Sequence, residues 1–199
     1  TSILEDGVEL DQLAALTQHD HLLTEDEKWW RTRARDVAST LRPSVEDDFE
    51  GAIYRSEHLK SLAKGGLFAM KSVRAERPAS AVAIGLAAAE VEAVDSGYRT
   101  MMSVHSSLAG TALAKFGSAE QHSAWTERME TGEALGCFAL TEPHGGSDPA
   151  AMRTFARRSG SDWVLTGRKR WIGLANHADV AITWAQTDEG IRGFLVDTT

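Results

Sequence analysis

From Thr24 onward, apolar positions recur at helical spacing. Thr24-Glu25-Asp26-Glu27 has the form of a capping box, in which a hydroxyl receives a first-turn amide and an acid reaches back to the cap. Trp30, Ala34, Val37, Ala38 and Leu41 then mark one face until Pro43, whose ring cannot continue the helix. A second helix is predicted over 55–64, closed by Gly65-Gly66, and a third from about 79 to Asp95-Ser96-Gly97. The third is apolar nearly all round (Ala81, Val82, Ala83, Ile84, Leu86 and onward to Val94), which predicts a place in the centre of a bundle. A fourth is predicted over 98–116 with Gly117 as its stop. Ser118-Ala119-Glu120-Gln121 is a second capping box and opens a fifth that closes at Gly132.

After Gly136 the period shortens. β-type runs are predicted at 137–140, 153–158, 163–166, 169–172, 180–185 and 191–196. Gly160-Ser161-Asp162 and Gly167-Arg168 read as hairpin connections between them. The fold class expected is α+β: an N-terminal α-helical bundle domain over residues 1–133, then an antiparallel, barrel-like β domain over 134–199. There is no internal repeat and no low-complexity tract.

A chain of 199 residues can bury a core without disulfides or metal. With 42% apolar and 25% charged residues, it is expected to be neither disordered nor fibrous. The net charge of −8 repels phosphate backbones and anionic lipid, so nucleic acid is not an expected partner. That charge resides in the first fifty residues, which hold thirteen acids and five bases. Leu10, Leu13, Leu16, Leu22 and Leu23 are interspersed among them, which favours a solvated helical surface over an interaction tail. Cys137, the single cysteine, can form neither an internal disulfide nor a zinc cage, and a reducing compartment fits best. No stretch reaches the roughly 20 consecutive apolar residues that a membrane span needs, so no membrane insertion is expected. The opening Thr-Ser-Ile-Leu-Glu has no basic start or apolar signal core, so export is not expected, and the missing initiator Met reads as trimming or processing. His19 and His21 lack a carboxylate constellation, and no metal site is expected.

The most unusual local sequence is Leu140-Thr141-Glu142-Pro143-His144-Gly145-Gly146-Ser147-Asp148-Pro149, a strand that runs into a loop bracketed by prolines. Adjacent glycines let successive N–H groups face one concavity, and Thr141 and Ser147 add hydroxyls. Together these suit a phosphate or another electron-rich ligand, with a plain strand-end turn as the alternative. In Lys169-Arg170-Trp171-Ile172-Gly173 a large flat indole could stack on a planar ring system, with core packing as the alternative. Arg153, Arg157, Arg158, Arg168, Lys169 and Arg170 make this region basic, which could attract phosphates, with alternating exposed strand positions as the equal alternative. Cys137, with no histidine beside it, is expected to be buried and a weak nucleophile.

These residues carry a family resemblance. The thirteen residues from Ala139 to Ala151 resemble the signature of flavin-dependent acyl-CoA dehydrogenases, and Lys169-Arg170-Trp171-Ile172 resembles that family's second flavin-contact segment. Asp95-Ser96-Gly97-Tyr98-Arg99, then Met102-Ser103-Val104-His105-Ser106-Ser107-Leu108, Leu135-Gly136-Cys137-Phe138 and 188–195 look most like the glutaryl-CoA dehydrogenase branch. The resemblance runs from about Thr24 to the end. It implies FAD held by Phe138, Leu140, Thr141, Gly146, Ser147, Trp171, Ile172 and Gly173, with Trp171 over the isoalloxazine ring. It implies an acyl-CoA substrate met by Arg99, Thr100 and Ser147, with Arg99 receiving a distal carboxylate. A planar, always-charged guanidinium suits that task. The alternative for Arg99 is a helix-surface ion pair with Glu92 or Asp95.

The resemblance further implies electron transfer to an electron-transfer flavoprotein, a homotetramer, and a location in the bacterial cytoplasm or the mitochondrial matrix. Three departures stand out. Gly173 replaces the Thr or Ser that in the family hydrogen-bonds flavin N5, and Thr100 replaces a Ser. The family's C-terminal helical bundle, which supplies the glutamate base, has no counterpart in these residues, so no catalytic residue is assigned. The functional expectation is α,β-dehydrogenation of an acyl-CoA thioester, with decarboxylation for a glutaryl substrate. The alternative is a non-catalytic flavin- or acyl-CoA-binding fragment or interaction fragment.

Overall fold

A computed structural model describes residues 20–198; the segment bearing Leu10, Leu13, Leu16 and His19 lies outside them. Helix α1 (Glu25–Ser39) begins with the expected capping box: Thr24 Oγ1 accepts the Glu27 amide at 3.3 Å, and Glu27 Oε2 accepts the Thr24 amide at 2.9 Å. Its apolar stripe buries Trp30, Ala34 and Ala38. The Trp30 indole N–H also finds a partner, donating to the Pro78 carbonyl at 3.2 Å.

A short helix that the sequence pattern did not announce, α2 (Val45–Gly51), follows the proline turn and ends at Ala52 with φ of 51°. Then come α3 (Ser56–Lys64) and α4 (Ala81–Glu92), the latter capped by Ser80 Oγ accepting from the Ala83 amide. Helix α4 does not lie apolar-side-in all round. Ala83, Ala87 and Val91, one small residue per turn, are fully buried on the face that meets α1, while Val82 is half exposed.

Helix α5 (Ser96–Met102) is capped by Asp95 and continues without a break through a π-helical stretch (Ser103–Ala109) into α6 (Gly110–Phe116). The predicted helix over 98–116 is therefore present but widened in its middle. Ser118 and Gln121 form the second capping box, at the start of α7 (Ala119–Glu130).

Five strands follow: β1 (Gly136–Ala139), β2 (Phe155–Ser159), β3 (Asp162–Thr166), β4 (Val180–Thr187) and β5 (Gly190–Asp197). The sheet is mixed rather than antiparallel. β1 pairs parallel with the start of β4, and β2 meets its far end in parallel at Phe155–Gln186. β2–β3 and β4–β5 are antiparallel hairpins. The parallel pairs arise because β1 returns to β4 only after a long excursion through the loop and the first hairpin, which leaves room for a crossover.

Residues 169–172 form no strand, and Gly167-Arg168 is no hairpin turn. The segment after β3 leaves the sheet and binds the loop after β1 instead.

The core crosses from helices to sheet. Trp30, Leu41, Leu59, Leu62, Phe68, Val91 and Tyr98 share one buried cluster with Cys137, Leu174 and Ala181. A second joins Ala109, Leu113, Trp125 and Met129 to Val180 and Ile182. Each large side chain so buried contributes roughly 1.5–3 kcal/mol. Among the described residues no helix is long and apolar enough to cross a membrane.

Candidate functional site

Strand β1 delivers Leu140 and Thr141 to the mouth of the proline-bracketed loop. Pro143 to Ala151 are exposed there, while Glu142 beneath them is buried at 5% exposure. The loop turns tightly, with the Glu142 and Gly145 amides exchanging hydrogen bonds with each other's carbonyls at 3.2 Å. The Gly145 N–H is thereby used within the turn and is not available to a ligand, which narrows the expected anion-binding concavity. A Cβ placed on Gly145 would meet nothing within 4 Å, and one on Gly146 would meet only Thr141 Cγ2 at 3.6 Å. The space above the loop is open.

The segment 167–174 is laid alongside this loop. The Arg170 amide donates to the Thr141 carbonyl at 2.9 Å, and Lys169 Nζ donates to the Leu140 carbonyl at 3.1 Å and to Glu142 Oε1 at 2.9 Å. Trp171, next in the chain, has φ of 60° and is 79% exposed. A bulky residue in the left-handed region is a backbone outlier of the kind found at ligand sites. A large indole left facing solvent is not core filler, so the packing alternative for Trp171 fails. The Arg170 guanidinium carbon lies 4.3 Å from the centre of its ring. Ile172 is half-buried against the helical core, and Gly173 is exposed.

Glu142 is the charged centre of this arrangement, and sequence reasoning passed over it. Burial alone would raise its pKa. Hydrogen bonds from Thr154, the Arg153 amide and Lys169 overcome that and hold the carboxyl down at about 2. Close approach makes the geometry possible: a Cβ on Gly167 would fall 2.6 Å from Thr154 Cα, so only glycine lets the segment lie on that strand end.

In the π-helical stretch, which packs on β1, His105 is 1% exposed. Its Nδ1 accepts the Gly136 amide and its Nε2 donates to the Met129 carbonyl, both at 2.9 Å. Those two partners fix a neutral tautomer, and burial pushes its pKa down. A π-helical turn at this position widens the helix where it faces β1. Val104 beside it approaches Gly173, where a Cβ would lie 3.5 Å from Val104 Cγ2.

The other expected site residues scatter. Phe138 packs toward Trp184, ring centres 5.8 Å apart, and Ser147 is exposed on the loop. Arg99 and Thr100 sit on α5, and Arg99 Nε donates to Glu92, as the ion-pair alternative anticipated. Asp95 is occupied in capping α5. Glu92 also accepts from Ser96 Oγ at 2.6 Å, and Ser96 together with Arg99 holds its carboxyl below the usual range. Of the basic residues in the β region, Arg157 lies over Phe155 and Arg158 over Trp163, so ring contacts account for part of that charge. Cys137 is buried at 3% exposure, and burial pushes its thiol up, as expected of an inert cysteine.

Comparisons with known proteins agree with one another. The family model for the acyl-CoA dehydrogenase N-terminal domain matches residues 24–133, and that for the acyl-CoA dehydrogenase middle domain matches 137–199. The glutaryl-CoA dehydrogenase of Mycobacterium smegmatis, solved in complex with FADH2, superposes with a TM-score of 0.88. It is 48% identical, over 92% of this chain and 48% of that one. Butyryl-CoA dehydrogenase of Megasphaera elsdenii gives a TM-score of 0.83 at 26% identity, covering 88% of this chain and 49% of that one. The mitochondrial short-chain specific acyl-CoA dehydrogenase of Mus musculus is 34% identical over 183 residues, which is 87% of this chain and 44% of that protein. The chain thus spans about half the length of these relatives. With two consecutive family models covering nearly all the described residues, on a helical region and mixed sheet that superpose on solved members, this chain belongs to the acyl-CoA dehydrogenase family.

Proposed function

We propose that these residues form the flavin- and thioester-facing part of an FAD-dependent acyl-CoA dehydrogenase of glutaryl-CoA type. The observation that carries the reading is Trp171: an exposed indole held at positive φ, directly after Arg170, whose amide is bonded to the Thr141 carbonyl at the mouth of the loop. A planar three-ring group fits such a surface, because it can stack on the indole while the Thr141 and Ser147 hydroxyls and the Gly146 backbone lie in reach of the neighbouring loop. In this reading Phe138, Leu140, Thr141, Gly146, Ser147, Trp171, Ile172 and Gly173 hold FAD. When bound, FAD provides the hydride-accepting chemistry of α,β-dehydrogenation. The chain's own residues bind and orient.

Arg99 is the substrate-selecting residue of this reading. Among the described residues its Nε is the guanidinium atom that donates, to Glu92, which leaves the Nη edge to pair with an incoming carboxylate. Thr100 beside it is exposed and adds a hydroxyl, and its methyl narrows the space relative to a serine. The 48% identity to a glutaryl-CoA dehydrogenase, against 34% to the short-chain specific relative of Mus musculus, supports a dicarboxylic substrate. An acyl-CoA substrate, an electron-transfer flavoprotein as electron acceptor, a homotetramer, and a bacterial-cytoplasmic or mitochondrial-matrix location complete the proposal. So does a division of the chain into a helical domain and a β domain near residue 133.

The test is a visible-absorbance titration of the full-length flavoprotein with glutaryl-CoA and with pentanoyl-CoA. Bleaching of the flavin by glutaryl-CoA at lower concentration is expected. Bleaching by pentanoyl-CoA alone overturns the role of Arg99, and a protein that takes up no flavin overturns the whole reading.

A further inference from the structure

Three hydrogen-bond donors converge on the Glu142 carboxylate, and a histidine nitrogen approaches it. Oε1 takes the Thr154 amide at 2.9 Å and Lys169 Nζ at 2.9 Å. Oε2 takes the Arg153 amide at 2.7 Å, and His144 Nε2 lies 3.2 Å from it. An ionised carboxylate accepts only and offers about four lone-pair sites, so it can satisfy this set in full. A carboxamide cannot, because its NH2 end would face a donor. The donors come from separate parts of the chain: Arg153 and Thr154 from the loop's return into β2, and Lys169 from the segment that carries Trp171.

We propose that Glu142 is a positioning residue: its carboxylate clamps the 143–153 loop to the 167–171 segment and so sets the orientation of the Trp171 indole relative to Thr141. A bulky side chain at positive φ persists only where its surroundings over-determine it. Lys169 is held at two acceptors, Glu142 and the Leu140 carbonyl, and the Arg170 amide at a third, Thr141. Two successive residues, Lys169 and Arg170, are thereby fixed directly before Trp171. Gly167 lets the segment approach closely enough for Lys169 to reach. Glu142 is buried and Lys169 nearly so, with side-chain exposures of 3% and 11%, so water does not readily replace the contact. The geometry stands by itself, whereas its consequence for a cofactor rests on the flavin reading above.

The experiment uses the full-length protein, two single variants, Glu142→Gln and Lys169→Met, and their double variant, each measured without and with added FAD. Without FAD, amide hydrogen exchange over 168–174 is expected to quicken about tenfold or more in both, while amides of α1 and α4 keep wild-type protection. With FAD, the dissociation constant is expected to rise about tenfold and the visible circular dichroism of the bound flavin to change, with the double variant no worse than either single one. Wild-type exchange over 168–174 in the variants overturns the clamp. So does a lowered melting temperature with unchanged flavin affinity and dichroism, since that is a merely structural role. If Glu142→Gln fails to fold, Lys169→Met decides alone. If the wild-type protein takes up no FAD, the flavin reading falls, and the exchange data still decide for or against the clamp.

Discussion

Gly167 lies against Thr154 with no room for a methyl group: a Cβ there would fall 2.6 Å from Thr154 Cα and 2.3 Å from its Oγ1. The Cα cannot swing aside as a side-chain tip can. Gly167→Ala is therefore expected to destabilise the protein by about 1–3 kcal/mol through forced separation of the two segments. Urea unfolding measures this. Gly145→Ala, with nothing within 4 Å of the new carbon, is the control and should fall within roughly 0.5 kcal/mol of wild type.

The Glu142 carboxyl titrates at about 2 in the folded chain against an ordinary value of 4.5. A depressed folded value means that its stabilisation is present above pH 4.5 and lost as pH falls from there through about 2. The amount at stake is about 3 kcal/mol. Unfolding free energies of wild type and Glu142→Gln, measured from pH 6 downward, should converge across that window. Parallel curves would exclude the ionised clamp.

His105 is folded as the neutral imidazole, with its pKa pushed below 6.5 by burial. Below pH 6.5 the unfolded chain takes up a proton that the folded chain refuses, so stability falls with falling pH. Replacing His105 with Gln, which retains a donor and an acceptor, should flatten that slope between pH 7 and 5. His105→Ala strands the Gly136 N–H and the Met129 carbonyl in the core and should cost roughly 2–4 kcal/mol. Thermal melts across this pH range check both.

Arg99→Met in the full-length protein should raise KM for glutaryl-CoA at least tenfold and leave pentanoyl-CoA within about twofold, since a desolvated carboxylate without a partner is excluded while a methyl end is not. Steady-state kinetics with both thioesters measures the split. An equal loss for both would assign Arg99 to folding through Glu92 instead.

Gly173 has neither a positive φ nor a crowded Cβ position; the nearest atom would be Val104 Cγ2 at ordinary contact distance, 3.5 Å. A hydroxyl is thus absent from this position without being sterically forbidden. Gly173→Ser should fold with a stability change of no more than about 1 kcal/mol and shift the bound flavin's absorption bands. An unshifted spectrum would place residue 173 away from the flavin.

Helix starts were legible because their signals are local: a hydroxyl and an acid or amide three residues apart specify the caps at Thr24 and Ser118, and both form. The run at 169–172 looked like a strand because alternation is also local. Its fate was decided by residues nearly thirty positions upstream, through the Thr141 carbonyl and the Glu142 carboxylate. For the same reason the glycine-and-hydroxyl pattern drew attention to Thr141 and Ser147 and hid Glu142. An acid beside a proline gives no sign of donors at 153, 154 and 169. The π-helical widening at Ser103–Ala109 left no trace in the apolar pattern, which fits either helix type, and the four acids of α2 carried no apolar period to read.

The buried clusters that join Tyr98 and Val91 to Cys137 and Ala181, and Trp125 to Val180, have a consequence for how the molecule comes apart. A cut near residue 133 would bare both halves of each apolar seam at once, so heat or urea should release helices and sheet together in one sigmoidal event, with neither piece left standing when expressed by itself.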